Sequence, residues 1–187
     1  MTMKKTTILS LMMILCVYGV YAQGNAGKNL NTALPKQYSN ECFSLRYPSS
    51  WQIVQDDNQA TTNTVISVQI MQKQTNNVDF RPNVNIIVSN KKWSESTKYL
   101  AQQSSRNNKQ LMHTYKQIGI KDIVVDKCKG SLLEYTISLQ GYTLHGSQYI
   151  VKKPDNTTFT ITATTDVKRH QEQMKTINAI INSISIK

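Results

Sequence analysis

Side chains that could bind a metal or act as catalysts are few in this sequence and widely spaced. The three histidines are His113, His145 and His170, and none has a second ligand at the spacing of a zinc site. No glycine-rich phosphate loop or G-x-S-x-G turn is present, and Ser49 and Ser50 follow a proline as part of a turn. We therefore predict no catalytic residues, no metal site and no cofactor. A hydrolase of unrecognised type is kept as an alternative.

Two cysteines, Cys42 and Cys128, are candidates for a disulfide. An even number of cysteines in an exported chain permits a bond between them. Closing so long a loop would stabilise the fold by roughly 4 kcal/mol in the chain-entropy model. The alternative is two separate buried thiols that pack as small apolar side chains. The sequence favours the disulfide and leaves this alternative open.

Three large aromatic residues, Tyr47, Trp51 and Trp93, are the candidates for a binding surface. Aromatic side chains most often contribute to a hydrophobic core, and that is the first interpretation for all three. The functional alternative is that they form one wall of a pocket at the edge of a sheet or beneath a helix.

Basic side chains outnumber acidic ones by 22 to 11, which gives a formal net charge of +11. They occur mainly as close pairs and not as one long run. These pairs are Lys91 with Lys92, Lys127 with Lys129, Lys152 with Lys153, and Lys168 with Arg169. A solvated basic surface is the simplest interpretation, although an anionic membrane surface or an acidic partner would also suit this charge. Nucleic acid is not expected as a partner, because the N-terminus predicts export.

The N-terminus has the order of a secretory signal peptide. Two lysines precede an apolar run over residues 8–17, and small residues near Ala22 predict cleavage after it. The run is shorter than the roughly 20 residues that span a bilayer, so no stable membrane span is expected after cleavage. Lipidation of Cys16 is disfavoured, because the bulky Leu15 stands before it where lipidation sites carry a small residue.

The expected organisation is a signal peptide over residues 1–22, a flexible leader over 23–40 and one domain over 41–187. Cleavage would remove two lysines and so lower the net charge by two, from +11 to +9. We expect a periplasmic or secreted protein.

The strands that must position these side chains are predicted from alternating apolar residues. Early strands are predicted over residues 43–47, 51–54, 64–71 and 83–88. Later strands are predicted over residues 123–128, 133–139, 142–152 and 157–164. Turns are predicted at Lys129-Gly130, Gln140-Gly141 and Pro154-Asp155-Asn156. Because short connections join antiparallel neighbours, the later four strands should form one meander.

Two helices are predicted beside these strands. Apolar positions near the C-terminus recur with the helical period of 3.6 residues. The stripe consists of His170, Met174, Ile177, Ile181 and Ile184. Asp166 is its expected N-cap, and a less regular helix is predicted from an N-cap at Ser94 to about Met112 or His113. The predicted fold class is α+β, with a twisted antiparallel sheet of seven or eight strands that packs against both helices.

Several segments, in order, resemble the PsbP-like superfamily. The opening segment, Phe43-Ser44-Leu45-Arg46-Tyr47-Pro48-Ser49-Ser50-Trp51, is similar to the family pattern F-x-x-x-Y-P-x-x-W. The other matching segments are residues 83–88, 148–151, 158–163 and 181–184. The superfamily includes PsbP, DcrB-type and LpqN-type proteins and a Ran-binding nuclear import factor. The resemblance covers residues 42–187 and implies an α-β-α sandwich that binds or supports partners.

We therefore expect an exported, non-catalytic binding or accessory protein that docks to a protein or envelope component. Docking would use a face of the sheet or the basic loops. The alternative is a carrier that holds a small apolar molecule or lipid in a pocket between sheet and helix.

Overall fold

The computed structural model describes residues 33–57, 64–74, 80–89 and 91–187. The predicted signal peptide, with Cys16, and most of the predicted leader lie outside these residues. The first five strands of the described chain are Lys36–Ser39 (β1), Phe43–Tyr47 (β2), Trp51–Asp57 (β3), Thr64–Gln72 (β4) and Asn83–Ser89 (β5). The other five are Lys116–Val125 (β6), Cys128–Leu139 (β7), Tyr142–Lys152 (β8), Thr158–Asp166 (β9) and Ser185–Ile186 (β10). The helices are Thr97–Leu111 (α1) and His170–Asn182 (α2), and a 3₁₀ turn over Val167–Arg169 leads into α2.

The described strands form two antiparallel sheets. The larger has seven strands in the order β3-β4-β5-β9-β8-β7-β6, and the smaller has the order β1-β2-β10. The predicted meander is confirmed, because β6, β7, β8 and β9 are consecutive neighbours in the larger sheet. The α+β class predicted from the sequence is therefore correct.

The larger sheet buries apolar side chains on both faces. Leu132 and Tyr149 belong to the core on the side of α2, whereas the next residues along each strand, Leu133 and Ile150, belong to the core on the side of α1. Successive strand residues point to opposite faces, so both faces need a covering layer. One helix on each face provides this cover, which makes the domain the α-β-α sandwich that the resemblance implied.

Helix α2 packs through the predicted stripe. Ile177 is fully buried in the core on that side, and Ile181 is almost fully buried. Ile184, predicted as the last residue of the stripe, is also almost fully buried, but it lies two residues beyond the end of α2. Ile180 is also fully buried, so the buried face is wider than the stripe alone. Asp166 acts as an N-cap, since its carboxylate accepts a hydrogen bond from the Lys168 N–H at 3.0 Å in the turn before α2.

Three local predictions are corrected by the structure. Helix α1 begins two residues later than expected, because the hydroxyl of Ser96, and not that of Ser94, accepts the Tyr99 N–H. Strand β6 begins at Lys116 and not near residue 123, so Ile118 is an exposed strand residue. The turn between β6 and β7 is formed by Asp126 and Lys127, which both have positive φ, and not by Lys129-Gly130.

The folded domain also includes part of the predicted leader. Residues Lys36–Ser39 pair with β2, and the side chains of Leu34 and Tyr38 contact the core on the side of α2. Only two apolar residues face inward here, so the segment lacks the longer alternation by which the other strands are recognised.

Candidate docking surface

Three of the four basic pairs meet at one end of the seven-stranded sheet. The pairings Ser89↔Thr158 and Lys152↔Thr158 place the end of β5, the start of β9 and the end of β8 side by side. The turn between β6 and β7 lies at the same end, because Gly130 pairs with Val151. This end carries Lys91 with Lys92, Lys127 with Lys129, and Lys152 with Lys153. We call it the lysine-rich end.

Two further lysines belong to the lysine-rich end. Lys98 lies in the first turn of α1, whose Thr97 hydroxyl is 3.0 Å from the Ser131 hydroxyl near the start of β7. Lys187 follows β10, and its carbonyl oxygen accepts a hydrogen bond from Lys153 Nζ at 2.6 Å. The N-terminus of a helix carries a partial positive charge, so α1 adds to the positive potential here.

Carboxylates compensate for only part of this charge. Asp155 forms an ion pair with Lys92 at 3.2 Å, and hydrogen bonds from Thr157 lower the pKa of Asp155 to about 2. The Asp126 carboxylate accepts the Ile186 N–H at 2.5 Å. Glu41 and Glu95 also lie at this end, and two further acidic residues lie close to it: Asp57 at the end of β3, and Asp122, which pairs with Ser131. The eight lysines outnumber these six acidic residues, so the end keeps a positive charge.

Trp93 lies within the lysine-rich end and is partly buried. The ammonium of Lys91 is 3.7 Å from the centre of its ring, a cation–π contact. Lys152 Nζ donates to the carbonyl oxygens of Trp93 and Glu95 at 2.6 and 2.9 Å. These bonds fix the segment between β5 and α1 against the sheet.

The other two aromatic candidates lie apart from Trp93. Trp51 is only 2% exposed and pairs with Gln72 at the opposite end of the sheet. Tyr47 is partly buried and contacts the same core, on the side of α2. The structure therefore does not bring the three candidates together, and Trp93 alone lies at the charged surface.

A second group of polar side chains lies between the start of α2 and the sheet, at the end opposite the lysines. The rings of His145 and His170 are stacked, with centres 3.8 Å apart. His170 Nδ1 is 2.8 Å from the Thr165 hydroxyl. His145 Nε2 is 3.8 Å from Glu134 Oε1, which is too long for a hydrogen bond, and Lys121 Nζ is 3.1 Å from the other oxygen of Glu134.

Protonation of this histidine pair is disfavoured in the folded protein. Burial lowers the pKa of His145 and that of His170, and the charge of His170 further lowers the pKa of His145. The Glu134 carboxylate raises the pKa of both histidines, but both pKa values remain below the usual value of histidine. Both rings therefore bind protons more weakly when folded than when unfolded.

We expect the domain to lose stability as the pH falls below about 6.5, the usual pKa of histidine. In that range the unfolded chain binds protons that the folded histidine pair does not, so acid favours unfolding. Urea unfolding between pH 7.5 and 5.5 would show a falling midpoint, and His145→Phe/His170→Phe should flatten this dependence. His113→Gln, at an exposed position, is the matched control. An identical pH dependence in the double variant and the wild type would contradict the assignment.

Cys42 and Cys128 are unbonded in the structure and both contact the core on the side of α2. Burial raises the pKa of each thiol, while the same ammonium, that of Lys153, acts to lower both. Both cysteines lie toward the lysine-rich end, since the Cys42 carbonyl oxygen accepts the Lys187 N–H and Cys128 directly follows the turn of Asp126 and Lys127. The disulfide stays a prediction: thiol counting on the denatured, unreduced chain should find none free, and two free thiols would refute it.

Within the described ranges, no three histidine, cysteine, aspartate or glutamate side chains are placed to hold a metal ion. In the same ranges, neither helix has the length and apolar character needed to cross a bilayer.

The fold is similar to those of several solved proteins of low sequence identity. LpqN of Mycobacterium tuberculosis aligns with a TM-score of 0.59 and 15% identity, over 81% of this chain and 91% of LpqN. CyanoP, the PsbP of Synechocystis sp. PCC 6803, aligns with a TM-score of 0.58 and 15% identity, over 88% and 98% of the two chains. The Ran-binding protein Mog1p of Saccharomyces cerevisiae aligns with a TM-score of 0.55 and 5% identity, over 82% and 96%.

At sequence identities of 5–15%, these structural similarities show a shared fold. They confirm the resemblance to PsbP-like domains. No curated protein matches the chain in sequence. The DcrB family model matches residues 34–183. This segment begins at the first residues packed on the core and ends just after α2. This chain therefore belongs to the DcrB family.

Proposed function

We propose that this protein is exported and acts as a non-catalytic accessory protein, which docks to an anionic component of the cell envelope through its lysine-rich end. The observation that carries the proposal is the convergence of three lysine pairs that are far apart in the sequence.

Two further observations support docking at this end. Lys127 is exposed in the tight turn between β6 and β7, and Lys129 is exposed at the start of β7, where both can approach a partner without rearrangement of the sheet. Complementary charge also accelerates the first encounter between two surfaces and sets their orientation. LpqN, which shares the fold, is involved in cell envelope biogenesis.

Retention of envelope material by the immobilised, processed protein tests the proposal. Lys98→Glu/Lys127→Glu/Lys129→Glu reverses three exposed charges at the lysine-rich end and should abolish most of the retention. The control, Lys116→Glu/Lys168→Glu/Lys175→Glu, makes the same change in net charge at exposed positions elsewhere on the domain and should retain envelope material normally. Equal retention by both triple variants and the wild type would show that the lysine-rich end is not the docking surface.

A further inference from the structure

We propose that the surface recognised by the lysine-rich end is an anionic phospholipid bilayer. This inference rests on the proposed docking function and names its partner class. An acidic protein is the competing partner, and the experiment below separates the two.

The shape of the lysine-rich end suits a flat partner. Its lysine pairs follow β5, end β8 and flank the turn between β6 and β7, and so they span the five neighbouring strands β5-β9-β8-β7-β6. Neighbouring strands are about 4.8 Å apart, so the positive charge extends over roughly 20 Å along one edge of the sheet. A charged edge of this width can contact many lipid headgroups at once.

The type of basic residue also favours a bilayer over an acidic protein. The chain has four arginines, Arg46, Arg81, Arg106 and Arg169, and none lies on the strand ends or turns that carry the lysine pairs. Arginine binds a protein carboxylate with two parallel hydrogen bonds, and so it is the usual residue for specific ion pairs at interfaces. Lysine acts as a hydrated point charge, which is sufficient for attraction to an anionic membrane surface.

Apolar side chains accompany the lysines at this end. Val124 is 65% exposed although it lies in β6, and it pairs with Lys129 across the ladder. Trp93 is partly exposed beside Lys91. Tryptophan is enriched at membrane–water interfaces, because its ring has both apolar and polar character. A lysine surface that also presents a valine and a tryptophan matches the headgroup region of a bilayer.

Binding to vesicles tests the inference directly. The processed protein recovered after export should bind vesicles of phosphatidylglycerol and phosphatidylcholine in equal parts, and should not bind vesicles of phosphatidylcholine alone. Each lysine near an anionic surface raises the affinity for it about fivefold. The variant Lys98→Glu/Lys127→Glu/Lys129→Glu should therefore weaken binding by about a hundredfold or more. The control Lys116→Glu/Lys168→Glu/Lys175→Glu should bind within a few-fold of the wild type. High salt should release the bound protein.

A second readout follows the tryptophan at the proposed contact. The chain has two tryptophans, so Trp51→Phe leaves Trp93 as the sole reporter. Its fluorescence should shift to shorter wavelength with anionic vesicles and stay unchanged with neutral ones. No shift under conditions of saturating binding would overturn the assignment of this surface.

The outcomes distinguish this inference from the docking function itself. Suppose that the wild type does not bind anionic vesicles, while its retention of envelope material still depends on Lys98, Lys127 and Lys129. The bilayer is then the wrong partner, but the lysine-rich end remains the docking surface. If both triple variants lose vesicle binding equally, net charge alone is responsible, and the inference is overturned.

Discussion

Alanine at Gly130 or at Gly146 is expected to destabilise the domain by about 3 kcal/mol, whereas alanine at Gly119 should change its stability by less than about 0.5 kcal/mol. All three glycines lie in strands of the same sheet. The difference comes from what an added methyl group would meet at each position.

At Gly130 an added Cβ would overlap the carbonyl oxygen of Ile150, which belongs to the backbone of β8, and would lie 2.5 Å from Val151 Cγ1. At Gly146 it would overlap the ring of Tyr135, with Cε2 at 2.5 Å and the hydroxyl oxygen at 2.6 Å. That ring cannot move away cheaply, since it is 2% exposed and its centre is 5.2 Å from that of Tyr115. Overpacking of this kind forces shifts in the backbone or strained rotamers.

Urea unfolding at neutral pH, followed by far-UV circular dichroism, measures the three alanine variants. Gly119 is the internal control, because nothing lies within 4 Å of its added Cβ. A variant at Gly130 or Gly146 that shows no cooperative transition agrees with the expected loss. A transition midpoint equal to that of the wild type at either position would contradict the packing described for β7 and β8.

The sequence predicts most of the fold because its signals are local. Alternation in β2, β5 and β9 and the helical stripe of α2 each place apolar residues on one side, and each side is buried in the structure. The turn at Gln140-Gly141 is predicted by glycine, and both residues have positive φ. These features depend on neighbours a few residues apart, which a sequence displays directly.

The misplaced boundaries depend on contacts that a sequence does not display. Tyr115 and Ile118 continue the spacing of α1, but Tyr115 instead packs on Tyr135 and Ile118 lies in the edge strand β6. Gly130 resembles a turn residue, yet it is required inside β7 because the backbone of β8 approaches it closely. Tertiary packing decides both cases.

The sequence predicts the parts of the candidate surface but not that they come together. Each lysine pair is evident by itself, and each stands at the end of a predicted strand or in the turn beside it. Their convergence follows from the order β5-β9-β8-β7, in which β5 and β9 are neighbours although about 70 residues separate them. The stacking of His145 on His170 likewise needs the contact between α2 and β8, which no spacing along the chain indicates.

Replacing Ile177 with alanine is expected to lower the free energy of unfolding by about 3 kcal/mol. Ile177 is fully buried at the middle of the face by which α2 covers the sheet, together with Ile180. Truncation removes three buried carbon atoms and leaves a cavity, because the close-packed strands beneath can relax only in part.

Asn178→Ala is the matched control for this variant, since residue 178 is the next in α2 and is exposed. Alanine there keeps the helix and removes no core contact, so its effect should stay within about 0.5 kcal/mol, in the stabilising direction if any. The comparison separates the packing of α2 from its helical propensity, because both variants introduce the same residue one position apart. A loss below about 1 kcal/mol for Ile177→Ala would mean that α2 does not close this side of the core. His170 in its first turn and His145 of β8, which stacks on it, would then lose the burial that lowers their pKa values, and the acid sensitivity expected above would vanish with it.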